Sequence, residues 1–464
     1  MKFVSTRGQA PAVSFLEAAA AGRAPDGGLY LPEAWPELEP QVIARLASRP
    51  FGEALGEVLA AVIGDELDRT APLDIGREVA AAFAHAATAP LKELYPNVWL
   101  LELFHGPTLS AADASLQMLA GLYERELSGR DAIATLVMAG TAGEAAAAVQ
   151  AFGGRKHLRL LVLVAEAGLD PTARKAVAAS GHANVRAVAV AGDRRDCAAL
   201  ADALMADETL RGAGLREVGP GNIARILADA AVMIHAAARL GAPGRLVSFA
   251  VPAGDFAMGI SAYGARRMGA GISRIVAACN INDALARVFQ DGRYAGSPLQ
   301  ATRTPGLDVQ APLNFERLYA EAVAREGLET RRAMAAFADI GSIDMPPSAR
   351  NAFAEAFAGA SVGEDDTARA MLSTLNETGE LVGPETAVVL AAGQRLAARD
   401  RATPMVALGL AHPSRDAVAV KAATGATPAT PSLAQPPAGA PERLERLPND
   451  AEALKAFVRN FLAS

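Results

Sequence analysis

The sequence predicts an α/β protein with two parallel-sheet α/β lobes and a mostly helical N-terminal region. Three observations support this prediction. The chain has 464 residues of which 51% are hydrophobic, enough to bury a large core. About the first 95 residues carry helical periodicity, and after them short runs rich in Val, Leu and Ile alternate with helical stretches. Near-continuous apolar strands separated by amphipathic helices are typical of parallel sheets that are covered on both faces.

The N-terminal region, 1–95, is predicted to be helical. Its stretches of helical periodicity are 13–20, 41–47, 52–63 and 75–84. Between the first two, Asp-Gly-Gly at 26–28 indicates a turn that leads into a short extended segment. This region is therefore expected to form a unit distinct from the strands that follow.

Apolar runs of strand length begin near residue 98. They are 98–103, 135–139, 158–164, 185–190, 246–251, 275–279 and 404–410. Three of them fall within 116–215, which predicts a small α/β domain there, inserted in a large α/β domain formed by 96–115 and 216–464. A Pro-, Ala- and Thr-rich segment at 425–441 predicts an extended surface crossing before a last helix at 450–462.

The charge and cysteine content exclude several classes of protein. Asp and Glu number 51 against 44 Lys and Arg, and no block of like charge would follow a phosphate backbone, so no nucleic acid partner is expected. Cys197 and Cys279 form no CxxC pair, which indicates neither a disulfide framework nor a metal site. The N-terminus lacks a signal-peptide core, and the apolar helix at 226–240 contains Asp229 and His235. We therefore expect a cytoplasmic protein with no membrane segment.

Several motifs occur in a fixed order along nearly the whole chain. They are Ser-Thr-Arg-Gly at 5–8, Asp-Gly-Gly-Leu-Tyr at 26–30, Leu-Glu-Leu-Phe-His-Gly-Pro-Thr-Leu at 101–109, Val-Pro-Ala-Gly at 251–254, Asn-Ile-Asn-Asp at 280–283, Leu-Asn-Phe-Glu-Arg-Leu at 313–318, Pro-Glu-Thr-Ala at 384–387, Ala-His-Pro at 411–413 and Leu-Pro-Asn-Asp at 447–450. In order and spacing the chain resembles the threonine synthases, which are pyridoxal-phosphate (PLP) enzymes of fold type II. The resemblance implies a helical N-terminal region and two α/β lobes with a cofactor between them.

The residue that the resemblance assigns to imine formation is missing. In the family the 101–109 motif leads to Phe-Lys-Asp, whose lysine binds the cofactor, whereas this chain reads Ser110, Ala111, Ala112 and Asp113. Ala112 occupies the lysine position, and a methyl group can neither form an imine nor act as a general base. The chain has six lysines in all, at 2, 92, 156, 175, 421 and 455, and none lies in another of the motifs.

Two further cofactor contacts of the family are altered. The loop expected to hold the cofactor phosphate reads Gly254, Asp255, Phe256 and Ala257, where the family has Gly-Asn-Phe-Gly. Asp255 would repel a phosphate if its side chain pointed inward, and Ala257 adds a Cβ where the backbone must approach closely. Leu410 replaces the family threonine that would meet the pyridine nitrogen. We therefore expect no cofactor.

Some polar positions of the family's substrate site remain. The resemblance assigns ligand contacts to His105, Thr108, Asp113, Thr141, Asn314, Arg317 and Arg415. It also places Asn282, Asp283 and Thr386 in the substrate pocket. Arg415 replaces a family lysine and could hold a phosphate or carboxylate with two hydrogen bonds. A purely structural interpretation stays open: His105 bonding a buried loop, Asp113 capping a helix and Arg317 in a surface ion pair.

These observations predict a threonine synthase-like protein that has lost PLP chemistry. Such a pseudoenzyme would bind a small anionic or phosphorylated amino-acid-type ligand. Its possible protein partner is a second copy of itself, in a homodimer, or an active paralogue. One alternative is an enzyme with PLP-independent activity on a phosphorylated hydroxy amino acid, acting through His105, Asp113 or Glu144. Another is a threonine synthase that binds PLP weakly and without a covalent bond.

Overall fold

The computed structural model of the chain describes residues 1–166, 169, 171–178, 181–432 and 442–463. Its strands are β1 (Phe3–Ser5), β2 (Tyr30–Pro32), β3 (Leu91–Tyr95), β4 (Val98–Glu102), β5 (Ala134–Ala139), β6 (Leu158–Ala165), β7 (Val185–Val190), β8 (Leu215–Glu217), β9 (Val247–Pro252), β10 (Ile272–Cys279), β11 (Arg293–Ala295), β12 (Ser342–Asp344), β13 (Phe357–Ser361), β14 (Met405–Gly409) and β15 (Leu444–Leu447).

Helices alternate with these strands. They are α1 (Phe15–Ala21), α2 (Pro40–Leu46), α3 (Phe51–Ile63), α4 (Ala71–Ala81), α5 (Ala112–Ser128), α6 (Ala142–Phe152), α7 (Pro171–Ala178), α8 (Arg194–Met205), α9 (Ile223–Arg239), α10 (Ala257–Arg267), α11 (Ala284–Asp291), α12 (Phe315–Ala322), α13 (Gly327–Ile340), α14 (Pro347–Ala356), α15 (Glu364–Thr378), α16 (Pro384–Ala397), α17 (Ala417–Thr424) and α18 (Ala451–Ala463).

The N-terminal region is mostly helical, as predicted. Helices α1 to α4 cover most of the four periodic stretches, and β1 pairs antiparallel with β2 after the turn at 26–28. Ser14 starts α1 with a capping box, in which its hydroxyl accepts from the Glu17 amide and the Glu17 carboxylate accepts from the Ser14 amide. Helix α3 packs its apolar face on α4 and α9, which attaches the region to the rest of the fold.

The larger sheet has six strands in the order β13-β10-β9-β14-β4-β3, and all neighbours pair in parallel except β3 with β4. Every residue of β14 is buried, as expected for a central strand that is covered on both faces. Helices α10 and α16 pack on its central strands. The parallel-sheet prediction is confirmed for this lobe.

The smaller sheet has five parallel strands in the order β15-β7-β6-β5-β8. Helices α6 and α8 pack on β5 and β6, and α18 packs on α8. The residues at 444–463, which we had placed with the larger domain, therefore join the smaller sheet, where Leu454 and Val458 are buried with Leu163 and Val188. The division into domains otherwise stays a prediction.

Helix α9 occupies the centre of the molecule. All of its residues except Arg239, at its end, are buried. The helix packs against α2, α3, α5 and α10. Among the described residues, no helix is long and apolar enough to cross a membrane. Residues 433–441 of the predicted surface crossing lie outside the described residues.

Candidate functional site

A cavity of about 430 Å³ lies between the two sheets. Its walls include the residues that directly follow β5, β14 and β9, together with the last residue of β6, so it lies at the carboxyl ends of parallel strands from both sheets. This is where open α/β sheets bind their ligands, because the loops that leave neighbouring strands diverge there. The position makes this cavity the candidate site.

Ala112 lies in the wall of this cavity, at the first residue of α5. The strand-like contact between Ser110 and Ala411 holds the preceding loop against the end of β14. None of the described residues that line the cavity is a lysine. Lys92 pairs with Glu380 on the surface, and Lys455 pairs with Asp207 and Glu452 at 3.2 and 2.9 Å. The side chains of the other four lysines are exposed.

The loop between β9 and α10 contains a carboxylate that accepts a hydrogen bond from the backbone at the start of α10. The Asp255 carboxylate accepts a hydrogen bond of 2.7 Å from the Ala257 amide, the first residue of α10. Phe256 adopts a left-handed φ of 63°, and its ring is buried in the core rather than in the cavity. The Asn314 side chain donates to the Asp255 carbonyl at 3.1 Å and fixes the loop from outside. Asp255 lines the cavity, and its carboxyl group interacts with the charges of Glu144, Arg225 and Arg194, which also line it.

Three carboxylates surround one arginine at the back of the cavity. Arg225 forms an ion pair of 3.2 Å with Glu144 and donates to the Ser115 hydroxyl at 3.3 Å. Burial acts to raise the pKa of Glu144, but the nearby arginines outweigh it and lower this pKa. Burial raises the pKa of Asp229 to about 7, and the charges of Asp255 and Glu144 contribute. Burial and the charge of Glu144 also raise the pKa of Asp255.

Two further arginines line the cavity from opposite lobes. Arg194 begins α8 beside the smaller sheet, and its guanidinium lies 3.4 Å from the Pro305 carbonyl across the cavity. Arg415 follows β14 of the larger sheet and donates to the Thr108 carbonyl at 2.7 Å. A Cβ added at Gly143 would lie 3.0 Å from Nη2 of Arg415, so a glycine there leaves room for the guanidinium.

Glu385 adds a fourth carboxylate to the wall. It accepts a hydrogen bond of 2.7 Å from the Gly306 amide. Burial raises the pKa of Glu385 to about 7, and the charge of Asp416, which also lines the cavity, acts in the same direction. The cavity thus contains more carboxylates than arginines, and two of them titrate near neutral pH.

Family comparisons agree with the motifs along the whole chain. Models described as threonine synthase N terminus, pyridoxal-phosphate dependent enzyme, and threonine synthase, C-terminal match residues 2–75, 84–361 and 386–458. The threonine synthase of Pseudomonas aeruginosa is 33% identical over 461 residues, which are 99% of this chain and 98% of that protein. This chain belongs to the threonine synthase family.

Solved structures of the family share the fold. A crystal structure of PLP-bound threonine synthase from Brucella melitensis has a TM-score of 0.93 and 34% identity, and covers 100% of both chains. The yeast threonine synthase structure has a TM-score of 0.89 and 25% identity, and covers 100% of this chain and 99% of that one. The predicted fold type II architecture is therefore confirmed.

The structure brings together only part of the substrate-binding set that the family resemblance suggested. Thr141 and Arg415 line the cavity, together with Ala112, Gly254, Asp255, Ala257 and Leu410. His105, Thr108, Asp113, Asn314 and Arg317 do not line it. All five make hydrogen bonds within the protein.

Those contacts explain their positions. Asp113 accepts from the Thr108 amide and hydroxyl at 3.0 and 2.8 Å and so fixes the loop before α5. It does not cap the helix, because it is the second residue of α5 and no side chain caps that helix. His105 lies 2.6 Å from the Glu102 carboxylate. Arg317 is fully buried and donates to the backbone carbonyls of Tyr30 and Gly221 at 2.9 and 2.7 Å, so the expected surface ion pair is absent there.

Four charged residues of the cavity were not predicted as site residues from the sequence: Arg194, Arg225, Glu385 and Asp416. Asp229, which interrupts an apolar helix, was not predicted as a site residue either. One signal was available, because Arg225 and Asp229 lie four residues apart on the otherwise apolar helix α9 and therefore face the same side. Among the described residues, no group of three or more His, Cys, Asp or Glu is placed to hold a metal ion.

Proposed function

We propose that this protein is a threonine synthase family member that forms no imine with PLP and binds a small ligand in the cavity between its lobes. One observation carries the proposal: Ala112 stands at the family's lysine position, and no lysine is found among the described residues of the cavity wall. An imine needs a primary amine that faces the cofactor carbonyl, and this wall offers none.

The phosphate loop supports the same proposal. The Asp255 carboxylate already accepts from the Ala257 amide at the start of α10, a group that a bound phosphate would need. At about 5 Å and an effective dielectric of about 20, a phosphate charge and this carboxylate would repel by about 3 kcal/mol. The residues present therefore do not fit PLP as a covalently held cofactor.

The cavity nevertheless keeps the means to bind a small charged molecule. Arg415 and Arg194 face it from the two lobes, and a guanidinium binds a carboxylate or phosphate with paired hydrogen bonds. Thr141 adds a hydroxyl in the same wall. We propose these three side chains as ligand contacts, in a protein with a binding or regulatory role.

A second candidate function is threonine synthase activity with PLP held without a covalent bond. It is favoured by the relative from Brucella melitensis, which is PLP-bound and 34% identical over the whole chain. If that activity is present here, it must proceed without an amine at position 112.

Phosphate release from O-phosphohomoserine separates these two functions. The full chain is assayed with and without added PLP, beside an active family member as the positive control. We expect no release that depends on PLP, because neither the amine nor a free phosphate loop is available. Release that requires PLP and yields threonine would reject the proposal in favour of the second candidate.

A further inference from the structure

We infer that Asp229 and Asp255 form a subsite for the ammonium group of the ligand, so that this end of the cavity takes a primary amine of amino-acid type instead of a phosphate ester. The inference rests on the proposed function and specifies its ligand. It assigns a cation to the place where the family resemblance predicts the cofactor phosphate.

The burial of Asp229 in the cavity wall supports this subsite. Its side chain lies in the cavity wall although only 6% of the residue is exposed, and no hydrogen bond or ion pair is found for it among the described residues. On its other side lies a small apolar pocket lined by residues such as Phe51, Val232 and Met233. A buried carboxylate without a partner is costly, so this group requires a proton or a cation from the cavity side.

The distribution of charge around Arg225 also supports the subsite. Glu144, Asp229 and Asp255 surround Arg225, which is paired with Glu144. Arg194 acts on Glu144 and Asp255 through its charge, but the hydrogen bond that it makes is to the Pro305 carbonyl. The charge of Arg225 also acts on Asp229, but among the described residues neither Asp229 nor Asp255 has an ion pair of its own.

An ammonium group suits these acceptors. It has three donors, and within the described part of the chain Oδ2 of Asp255 accepts no hydrogen bond, while Oδ1 accepts from the Ala257 amide. A metal ion is not indicated, because the described His, Cys, Asp and Glu residues form no group placed to hold one. Arg415 lines the same cavity and is available for a carboxylate, so the cavity offers groups of both signs for the two charges of an amino acid.

The occupancy of this subsite is expected to depend on pH. The groups that face Asp229 are Arg225 on its own helix, Asp255 on the loop before α10 and Glu144 on α6. Since the pKa of Asp229 is raised to about 7, the carboxylate is largely ionised at pH 8 and largely protonated at pH 5.5. A cation should therefore bind at the higher pH.

The test measures the melting temperature of the full chain with methylammonium chloride against equal sodium chloride, in an amine-free buffer at pH 8 and pH 5.5. We expect methylammonium to raise the Tm at pH 8 only, because it binds the native state. Asp229→Asn should abolish the increase, and Asp255→Asn, which keeps an acceptor for the Ala257 amide, should reduce it. The matched control Asp344→Asn removes a surface carboxylate and should respond like the wild type.

Equal responses to the two salts in the wild type, or the same methylammonium response in Asp229→Asn, would overturn the subsite. Failure of the proposed function is distinguishable from this result. PLP-dependent phosphate release would reject the loss of cofactor chemistry whatever the response to methylammonium, whereas absent release with no methylammonium response would reject the ammonium subsite alone.

Discussion

Ala112 and Asp255 act together to change the chemistry of the cavity. The first removes the amine that the family uses, and the second places a carboxylate on the amide that a phosphate would use. Either change alone leaves part of a cofactor site, since a phosphate loop can still hold PLP and an amine can still react with it. The proposed loss of PLP chemistry rests on the combination of the two.

Asp229 should make the stability of the protein depend on pH. Its folded-state pKa of about 7 lies above its ordinary value of 3.8, so the unfolded chain ionises first and stability is lost as the pH rises through 7. Asp229→Asn cannot ionise and should be more stable than the wild type at pH 8, by roughly 1–3 kcal/mol, with little difference at pH 4.

Urea unfolding of both proteins at pH 4, 6 and 8 measures this difference. Asp344→Asn, at an exposed position, is the control for the loss of one negative charge. A wild type that is equal to or more stable than Asp229→Asn at pH 8 would contradict an unpaired buried carboxylate at this position.

The hydrogen-bond partners of Arg317 could not be predicted from the sequence. Its motif neighbours suggested a ligand contact or a surface pair, but its guanidinium bonds the carbonyls of Tyr30 and Gly221, which lie 287 and 96 residues away in the sequence. Such partners are set by the tertiary fold. By contrast, the position of Ala112 in the cavity wall followed from the motif alone.

At the scale of elements, α10 depends on the same aspartate that blocks the phosphate loop. Asp255→Ala removes the acceptor of the Ala257 amide and should cost about 1 kcal/mol of unfolding free energy, as lost helix caps do. Asp255→Asn keeps an acceptor and removes the buried charge, so it should be at least as stable as the wild type at pH 8. Urea unfolding of the two variants at pH 8 tests this order, and Asp255→Ala matching Asp255→Asn would contradict a stabilising role for the hydrogen bond from the Ala257 amide.

Central strands were predicted from the sequence, whereas edge strands were not. The seven predicted runs correspond to β4, β5, β6, β7, β9, β10 and β14. The strands of the two sheets that were not predicted are β3, β13, β8 and β15, and these are the edge strands. An edge strand is covered less completely, so its sequence need not form a continuous apolar run. β15 is an example, since none of its four residues is buried.

At the scale of the whole molecule, the two sheets direct their carboxyl ends at one cavity, and Arg194 reaches from the smaller lobe to the Pro305 carbonyl of the larger lobe. The overall fold is that of the family's solved structures, and Ala112, Asp255 and Leu410 line the cavity between the sheets. Fold class and family followed from apolar periodicity and motifs. The five carboxylates of the cavity wall did not, because they come from five separate segments of the chain: Glu144, Asp229, Asp255, Glu385 and Asp416.

Borohydride reduction in the presence of PLP, followed by mass spectrometry of the intact chain and its peptides, tests the absence of imine chemistry most directly. The control is the double variant Ala112→Lys/Asp255→Asn, which restores the amine and removes the repelling charge. We expect the variant to gain one reduced pyridoxyl phosphate at position 112 and the wild type to gain none. One pyridoxyl phosphate per wild-type chain, mapped to a single lysine, would contradict the account.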